Sequence, residues 1–205
     1  MTATHLELLV EEPSMEAFLR EFLPGLLPQE RTFGVHPFQG KTDLLGKLQA
    51  RLRGYAQWLP EDWRIVVVVD RDDDDCESLK ERLEDMAANA GLVTRSRTGN
   101  REWQLVNRIA IEELEAWYFG DWPAVCRAYP RVSPGISNQA GYRDSDAIRG
   151  GTWEAFERVL RRHGYFKAGL AKMEVARTLG RLLDPERSRS RSFAVFRDAI
   201  TEAVA

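Results

Sequence analysis

The chain has 205 residues, of which 30% are charged, 43% hydrophobic and 10% aromatic, and its formal net charge is −3. With nine Pro and 15 Gly, that mixture excludes collagen-like and disordered chains and fits one soluble domain with a substantial core. The longest apolar run near a strand, Ile65 to Val69, is far shorter than the roughly 20 residues of a membrane span. The N-terminus lacks a basic flank and an apolar signal core. Two cysteines, Cys76 and Cys126, cannot make a disulfide framework or a thiolate zinc site. A cytoplasmic, bacterial-type protein with no membrane partner is expected.

His5 to Val10 reads as a first strand, broken by Glu11-Glu12-Pro13-Ser14. Met15, Phe18, Leu19, Phe22, Leu23 and Leu26 recur at helical spacing. Thr32 to Phe38 suits a second strand. Leu44, Leu45, Leu48, Leu52 and Tyr55 mark a second helix, with Thr42 or Asp43 as its N-cap. Arg64 to Asp70 is the strongest strand signal: five consecutive β-branched residues leave no face for water, so this strand is central and covered on both sides. Cys76, Leu79, Leu83, Met86 and Ala90 describe a third helix, ended by Gly91.

Leu92 to Ser96 and Leu105 to Ile111 are further strand candidates. Strands alternating with helices of this length predict an α/β fold with a parallel sheet and right-handed crossovers. Beyond Ile111 the pattern turns helical: Glu112 to Gly120, Trp122 to Tyr129, Trp153 to His163, Lys172 to Leu183 and Phe193 to Val204. Pro130 to Gly151 reads as a loop without regular structure. The reading is thus an α/β core over residues 1–125 and a basic helical portion over 126–205 packed on it.

Charge is unevenly spread. Arg158 to Arg197 carries eleven Lys and Arg against three acids, a local +8, which leaves the rest of the chain strongly acidic. A carboxylate-rich part beside a cationic tail suggests a metal site next to a polyanion-binding surface; a solvated basic helix face is the plainer reading.

Ligands of parallel sheets bind beyond the carboxyl ends of the strands, and three acidic clusters fall there: Glu11-Glu12, Asp70 to Asp75, and Glu112, Glu113 and Glu115. Two like charges about 4 Å apart repel by roughly 4 kcal/mol at an effective dielectric near 20, so protons or a divalent cation must offset them. Oxygen ligands suit Mg²⁺, Mn²⁺ or Ca²⁺, and the scarcity of Cys and His argues against zinc. In extended backbone Asp70 and Asp72 point to one side and can share an ion. Asp73, Asp74 and Asp75 suit the N-terminus of the following helix, and Glu12 is expected to face solvent. On a helix Glu113 and Glu115 cannot share a face. Gly40-Lys41-Thr42 is like the end of a phosphate-binding loop, but Val35 stands where its first Gly belongs, so Lys41 is assigned to nucleic acid instead. Tyr118, Tyr142 and Tyr165 are read as packing residues.

Leu9-Val10-Glu11, Val69-Asp70-Arg71-Asp72 and Glu113-Leu114-Glu115-Ala116-Trp117 together resemble the Toprim fold, the metal-binding domain of topoisomerases, primases and OLD-type nucleases. Glu16-Ala17-Phe18-Leu19, Phe166-Lys167 and Ser190-Arg191-Ser192-Phe193 make the chain more closely similar to a family of uncharacterised bacterial Toprim-like proteins. Two positions depart from that pattern: Glu12 stands where Gly is usual and Met15 where an acid is common. The resemblance implies a mostly parallel sheet flanked by helices, with Glu11, Asp70 and Asp72 as ligands of Mg²⁺ or Mn²⁺ and Glu113 or Glu115 as ligand of a second ion.

It further implies metal-assisted phosphodiester hydrolysis, with Lys167 or Lys172 stabilising developing charge. Arg161, Arg162, Lys167, Arg189, Arg191 and Lys41 would track the backbone of nucleic acid, DNA before RNA. A separate partner ATPase in bacterial antiphage defence, and possible self-association, belong to the same expectation. The competing reading is a non-catalytic subunit that keeps the fold; the altered first turn favours it. A phosphotransfer domain using Asp70 is poorer, because the Thr and Lys order it needs is missing.

Overall fold

A computed structural model describes residues 2–99 and 102–205; Met1, Asn100 and Arg101 lie outside the described residues. The elements are β1 (His5–Val10), α1 (Pro13–Leu26), β2 (Thr32–Pro37), α2 (Lys41–Tyr55), β3 (Trp63–Asp70), α3 (Cys76–Asn89), β4 (Leu105–Ala110), α4 (Leu114–Gly120), α5 (Trp122–Ala128), α6 (Thr152–Arg162), α7 (Lys172–Leu182) and α8 (Arg191–Val204). The four strands form one all-parallel sheet in the order β2-β1-β3-β4. The fold is therefore α/β, with helices on both sheet faces and a helical C-terminal portion. No helix among the described residues is long and apolar enough to cross a membrane.

The β-branched run of β3 explains the three layers. Ile65, Val67 and Val69 bury into a cluster with Leu44, Leu48 and Leu52 of α2 and Leu79 and Leu83 of α3. Val66 and Val68 face the other way, into a larger cluster with Phe18 of α1, Trp117 of α4, Phe156 of α6, Leu179 of α7 and Phe193 of α8. Each buried Val contributes on the order of 1.5–3 kcal/mol, and β3 needs both helical layers to gain it. The larger cluster draws on residues from both sides of position 125, and α5 itself spans that position.

α7 lies against α1 at very short range. A Cβ on Gly180 would stand 2.6 Å from the Phe18 carbonyl oxygen, so only glycine permits this approach. Arg181 then pairs with Glu21 at 2.7 Å and fixes the helix in place.

Three expected local features differ. Leu92 to Ser96 forms no strand: Thr94 makes a single bridge to Leu105, and the chain turns at once, Arg97 N–H donating to the Thr94 carbonyl at 3.1 Å. The N-cap of α2 is Gly40, not Thr42 or Asp43. Its φ of 92° suits glycine, and Asp43 instead accepts from the Gln39 N–H at 3.1 Å. Within 130–151 two 3-10 turns stand, Ile136–Asn138 and Ser145–Ala147. The second is held because Asp146 accepts from Ser190 Oγ at 2.7 Å and from the Ser192 N–H at 3.0 Å.

Candidate functional site: an acidic cleft at the strand switch point

β1 connects to β2 on one side of itself and β3 pairs on its other side. Between β1 and β3 the chain's direction of travel across the sheet reverses, and such a point opens a crevice at the carboxyl ends. Glu11 is the residue after β1 and Asp70 the last residue of β3. Both are buried, and the Asp70 N–H donates to Glu11 Oε2 at 3.1 Å. Residues 66, 68 and 70 share a sheet face, so the Asp70 carboxyl turns towards α1, α4 and α7. Its Oδ1 is buried without a hydrogen-bond partner.

Other carboxylates crowd this point. Glu113 is the N-cap of α4, in extended backbone, and Glu115 sits in the first turn. Because Glu113 has not yet entered the helix, the face rule does not separate the pair. Glu113 accepts from Thr152 Oγ1 at 3.0 Å and from the Trp153 N–H at 2.9 Å, which ties it to the start of α6. Glu115 is buried and feels the charges of Glu113 and Glu12.

Burial pushes the carboxyls of Glu11 and Glu115 up to about 7. It raises Glu113 too. Asp70 rises well above the ordinary aspartate range, first through burial and then through Glu11, Glu12, Glu115 and Asp72.

Two lysines meet these acids. Lys172, the first residue of α7, loses basicity through burial but gains more from Glu115, Glu12, Glu113 and Asp70, so its ammonium titrates above the usual lysine range. It also lies 4.9 Å from the centre of the Trp153 ring. Lys41, the first residue of α2, donates to the Arg71 carbonyl at 2.9 Å and pairs with Asp72 and Asp74, each at 2.8 Å. Among the described residues, no three His, Cys, Asp or Glu side chains are already drawn into a metal cage. The cleft is a looser ring of carboxylates with two ammonium groups set into it.

The family is shown by sequence: residues 10–201 match the family model described as Domain of unknown function (DUF4276). The chain belongs to the DUF4276 family. No curated protein and no solved structure matches it.

In this DUF4276 chain, Glu11, Asp70, Asp72, Glu113, Glu115 and Lys172 come together from four elements or their flanks. Their local settings differ from those expected. Asp72 does not extend β3 beside Asp70. Its φ is 48°, because the Asp72 N–H donates to the Glu112 carbonyl at 3.0 Å and the chain turns there. Arg71 pairs with Glu112 at the same turn.

Of the three acids suggested as helix caps, only Asp75 caps, accepting from the Ser78 N–H at 2.9 Å, while Asp74 serves Lys41. Lys41 is committed to these acids rather than free for nucleic acid. Lys167 is exposed, after the turn at Phe166, and only Lys172 joins the acids. Arg161, Arg162, Arg189 and Arg191 are exposed, Arg161 lying 3.8 Å from Glu157.

Two members of the site escaped the sequence reading. Glu12 is half-buried rather than turned to solvent. It accepts from Ser14 Oγ and raises the carboxyls of Asp70, Glu11 and Glu115. Its place directly after Glu11, at the start of α1, was the available signal. Tyr118 does pack, its ring 5.4 Å from that of Phe156. Its buried hydroxyl nevertheless has no partner, and after burial itself, Glu115 and Glu12 are what raise its pKa most.

Proposed function

We propose that this chain is a Toprim-like, divalent-metal-dependent nuclease that hydrolyses phosphodiester bonds in nucleic acid, DNA in preference to RNA. The observation that carries the reading is Asp70. Its carboxyl lies fully enclosed at the strand switch point, with one oxygen unpartnered and Glu11, Glu12, Asp72 and Glu115 acting on it. A fold keeps a buried polar atom unsatisfied at a cost of about 1–3 kcal/mol, and a hard cation relieves that cost with oxygen ligands. Glu11 and Asp70 would hold Mg²⁺ or Mn²⁺, with Asp72 and Glu115 within its electrostatic reach. When bound, such an ion acidifies water and neutralises phosphate charge.

The chain's own groups supply the rest. Glu115, its carboxyl pushed up to about 7 by burial, is suited to take a proton from water at physiological pH. Lys172 presents a fixed positive charge to the charge that develops on phosphate. Lys41 holds the Asp72–Asp74 loop in place. Arg161, Arg162, Lys167, Arg189 and Arg191 offer exposed cations to a nucleic-acid backbone, a contact that fixes position without reading sequence. The resemblance to Toprim proteins supports a cytoplasmic antiphage setting with a separate ATPase, and self-association is compatible with it.

The test is to incubate plasmid DNA and tRNA with the protein and Mg²⁺ or Mn²⁺, beside Asp70→Ala and Asp72→Ala. Nicking by the wild type that both variants lose supports the nuclease. Equal cleavage by the variants overturns it. Absence of cleavage with every metal, with and without a partner ATPase, favours the non-catalytic subunit.

A further inference from the structure

Along the edge of β4 a cavity of about 460 Å³ opens between α3, β4 and the start of α8. That size is typical of small-molecule sites. Ile109, Ile111 and Val195 give it aliphatic walls, and Val195 is 45% exposed, unusual for so apolar a side chain.

Its cations differ in how they are paired. Of the cations that line it, Lys80 is neutralised by Glu84 at 2.6 Å. Arg108 donates only to carbonyl oxygens, those of Asn107 at 3.0 Å and Val195 at 3.2 Å, and has no ion-pair partner among the described residues. Arg191, the first residue of α8, is exposed and likewise unpaired among them. The acids on the rim accept only from neutral donors, Asp146 from Ser190 and Ser192 at the start of α8 and Asp144 from the Asp146 N–H at 3.1 Å, and they keep their charge. Two guanidinium groups thus line the cavity without a direct ion pair among the described residues, Arg108 with Glu202, Glu84 and Asp198 acting on it at longer range, and guanidinium forks fit phosphate.

Asn107 sets a second requirement. It lines the cavity and is 1% exposed. Its Nδ2 donates to Glu84 Oε1 at 2.9 Å. An ionised carboxylate only accepts, so the amide orientation is fixed. Asn107 Oδ1 is left buried and unpartnered. A ligand that completes this site must bring an N–H or O–H donor, an apolar body and an anionic group.

We infer that the cavity is a nucleotide pocket: phosphate on Arg108 and Arg191, the base against Ile109, Ile111 and Val195, and a base N–H donated to Asn107 Oδ1. The nucleotide is either free or one residue of a longer strand. The inference uses none of the residues of the acidic cleft, and it shares only Arg191 with the nuclease reading.

Calorimetric titration of the intact protein in EDTA tests it, because without a divalent cation the acidic cleft repels phosphate. The probes are AMP, dAMP, inorganic phosphate and a short oligodeoxyadenylate. AMP or dAMP is expected to bind about tenfold or more tightly than phosphate, and Arg191→Ala to weaken that binding about tenfold or more, as for loss of one charge-assisted contact. Arg191 is exposed, so this variant keeps the fold; Arg108→Met, checked by circular dichroism, is the second probe. Binding of the oligonucleotide alone that both Arg191→Ala and Arg108→Met lose identifies the strand as the source, whereas loss in Arg191→Ala alone is backbone tracking and overturns the pocket. No binding by any nucleotide, or equal binding by wild type and Arg191→Ala, overturns the inference.

Discussion

Glu7 and Asp70 are both buried acids on neighbouring central strands, and the fold treats them in opposite ways. Around Glu7 every demand is met. His5 Nε2 lies 3.0 Å from Oε1, and His36 Nε2 and the Tyr55 hydroxyl lie 2.5 and 2.8 Å from Oε2. Burial alone would raise this carboxyl, but hydrogen bonds from Tyr55, His5 and His36 bring it below the usual glutamate range. Around Asp70 the neighbours are other acids, one oxygen has no partner, and the pKa rises. The chain is capable of satisfying a buried carboxylate mid-sheet, yet at the carboxyl rim it gathers unsatisfied ones. On the proposed nuclease reading, that contrast separates acids kept for structure from acids kept for chemistry.

Substitution sharpens the comparison most. Asp70→Asn is expected to lower metal-dependent nicking at least about a thousandfold while leaving the metal-free thermal midpoint unchanged or higher at pH 8, since a strained charge is removed. Glu7→Gln is expected to do the reverse. It should lose on the order of 2 kcal/mol of stability in denaturant melts, because charge-assisted hydrogen bonds go, and keep its nicking rate per folded molecule. Nicking that survives Asp70→Asn, or a melt that Glu7→Gln leaves unmoved, breaks the distinction.

A titration separates the two classes by sign. The carboxyls of Glu11 and Glu115 move from 4.5 to about 7 on folding, so the folded state holds protons that the unfolded state has released. Their contribution to stability is full below about pH 4.5 and is lost as pH rises towards 7. Glu7 is shifted down, so its contribution is present above pH 4.5 and lost on acidification. Thermal midpoints measured in EDTA should fall from pH 5 to 8, and Glu11→Gln with Glu115→Gln should flatten that slope. A flat wild-type profile contradicts the placement of these acids.

The smallest effect distinguishes the two lysines. Lys172→Met should slow nicking by about ten- to a hundredfold and shift the pH profile upward, because Glu115 loses its cation. Lys167→Met should change the rate by less than about threefold, through weakened backbone tracking alone. Equal losses from both would return Lys167 to the site.

Much of this geometry is readable from local pattern. The β-branched run of β3 announces a covered strand, and a strand that ends in Asp puts that acid on the ligand-binding rim. Glu11 follows the same logic. Local pattern fails where tertiary contact decides. Asp72 leaves the strand because its N–H is drawn to the Glu112 carbonyl. Lys41 meets Asp72 and Asp74 across a loop 30 residues away in sequence. Glu12 and Tyr118 join the acids through tertiary packing of α1 on α4, where the Phe18 ring lies 5.9 Å from that of Tyr118, and nothing near Lys167 or Lys172 in sequence says which of them docks.

That last choice traces to a missing methyl group. Gly180 lies eight positions beyond Lys172 on the same helix, about 12 Å along its axis at 1.5 Å per residue. An alanine there would meet the Phe18 backbone and lever the whole rod outward, carrying the ammonium away from its four counter-charges. Residue 180 thus acts as a remote shim for the electrostatics of a cleft it never touches.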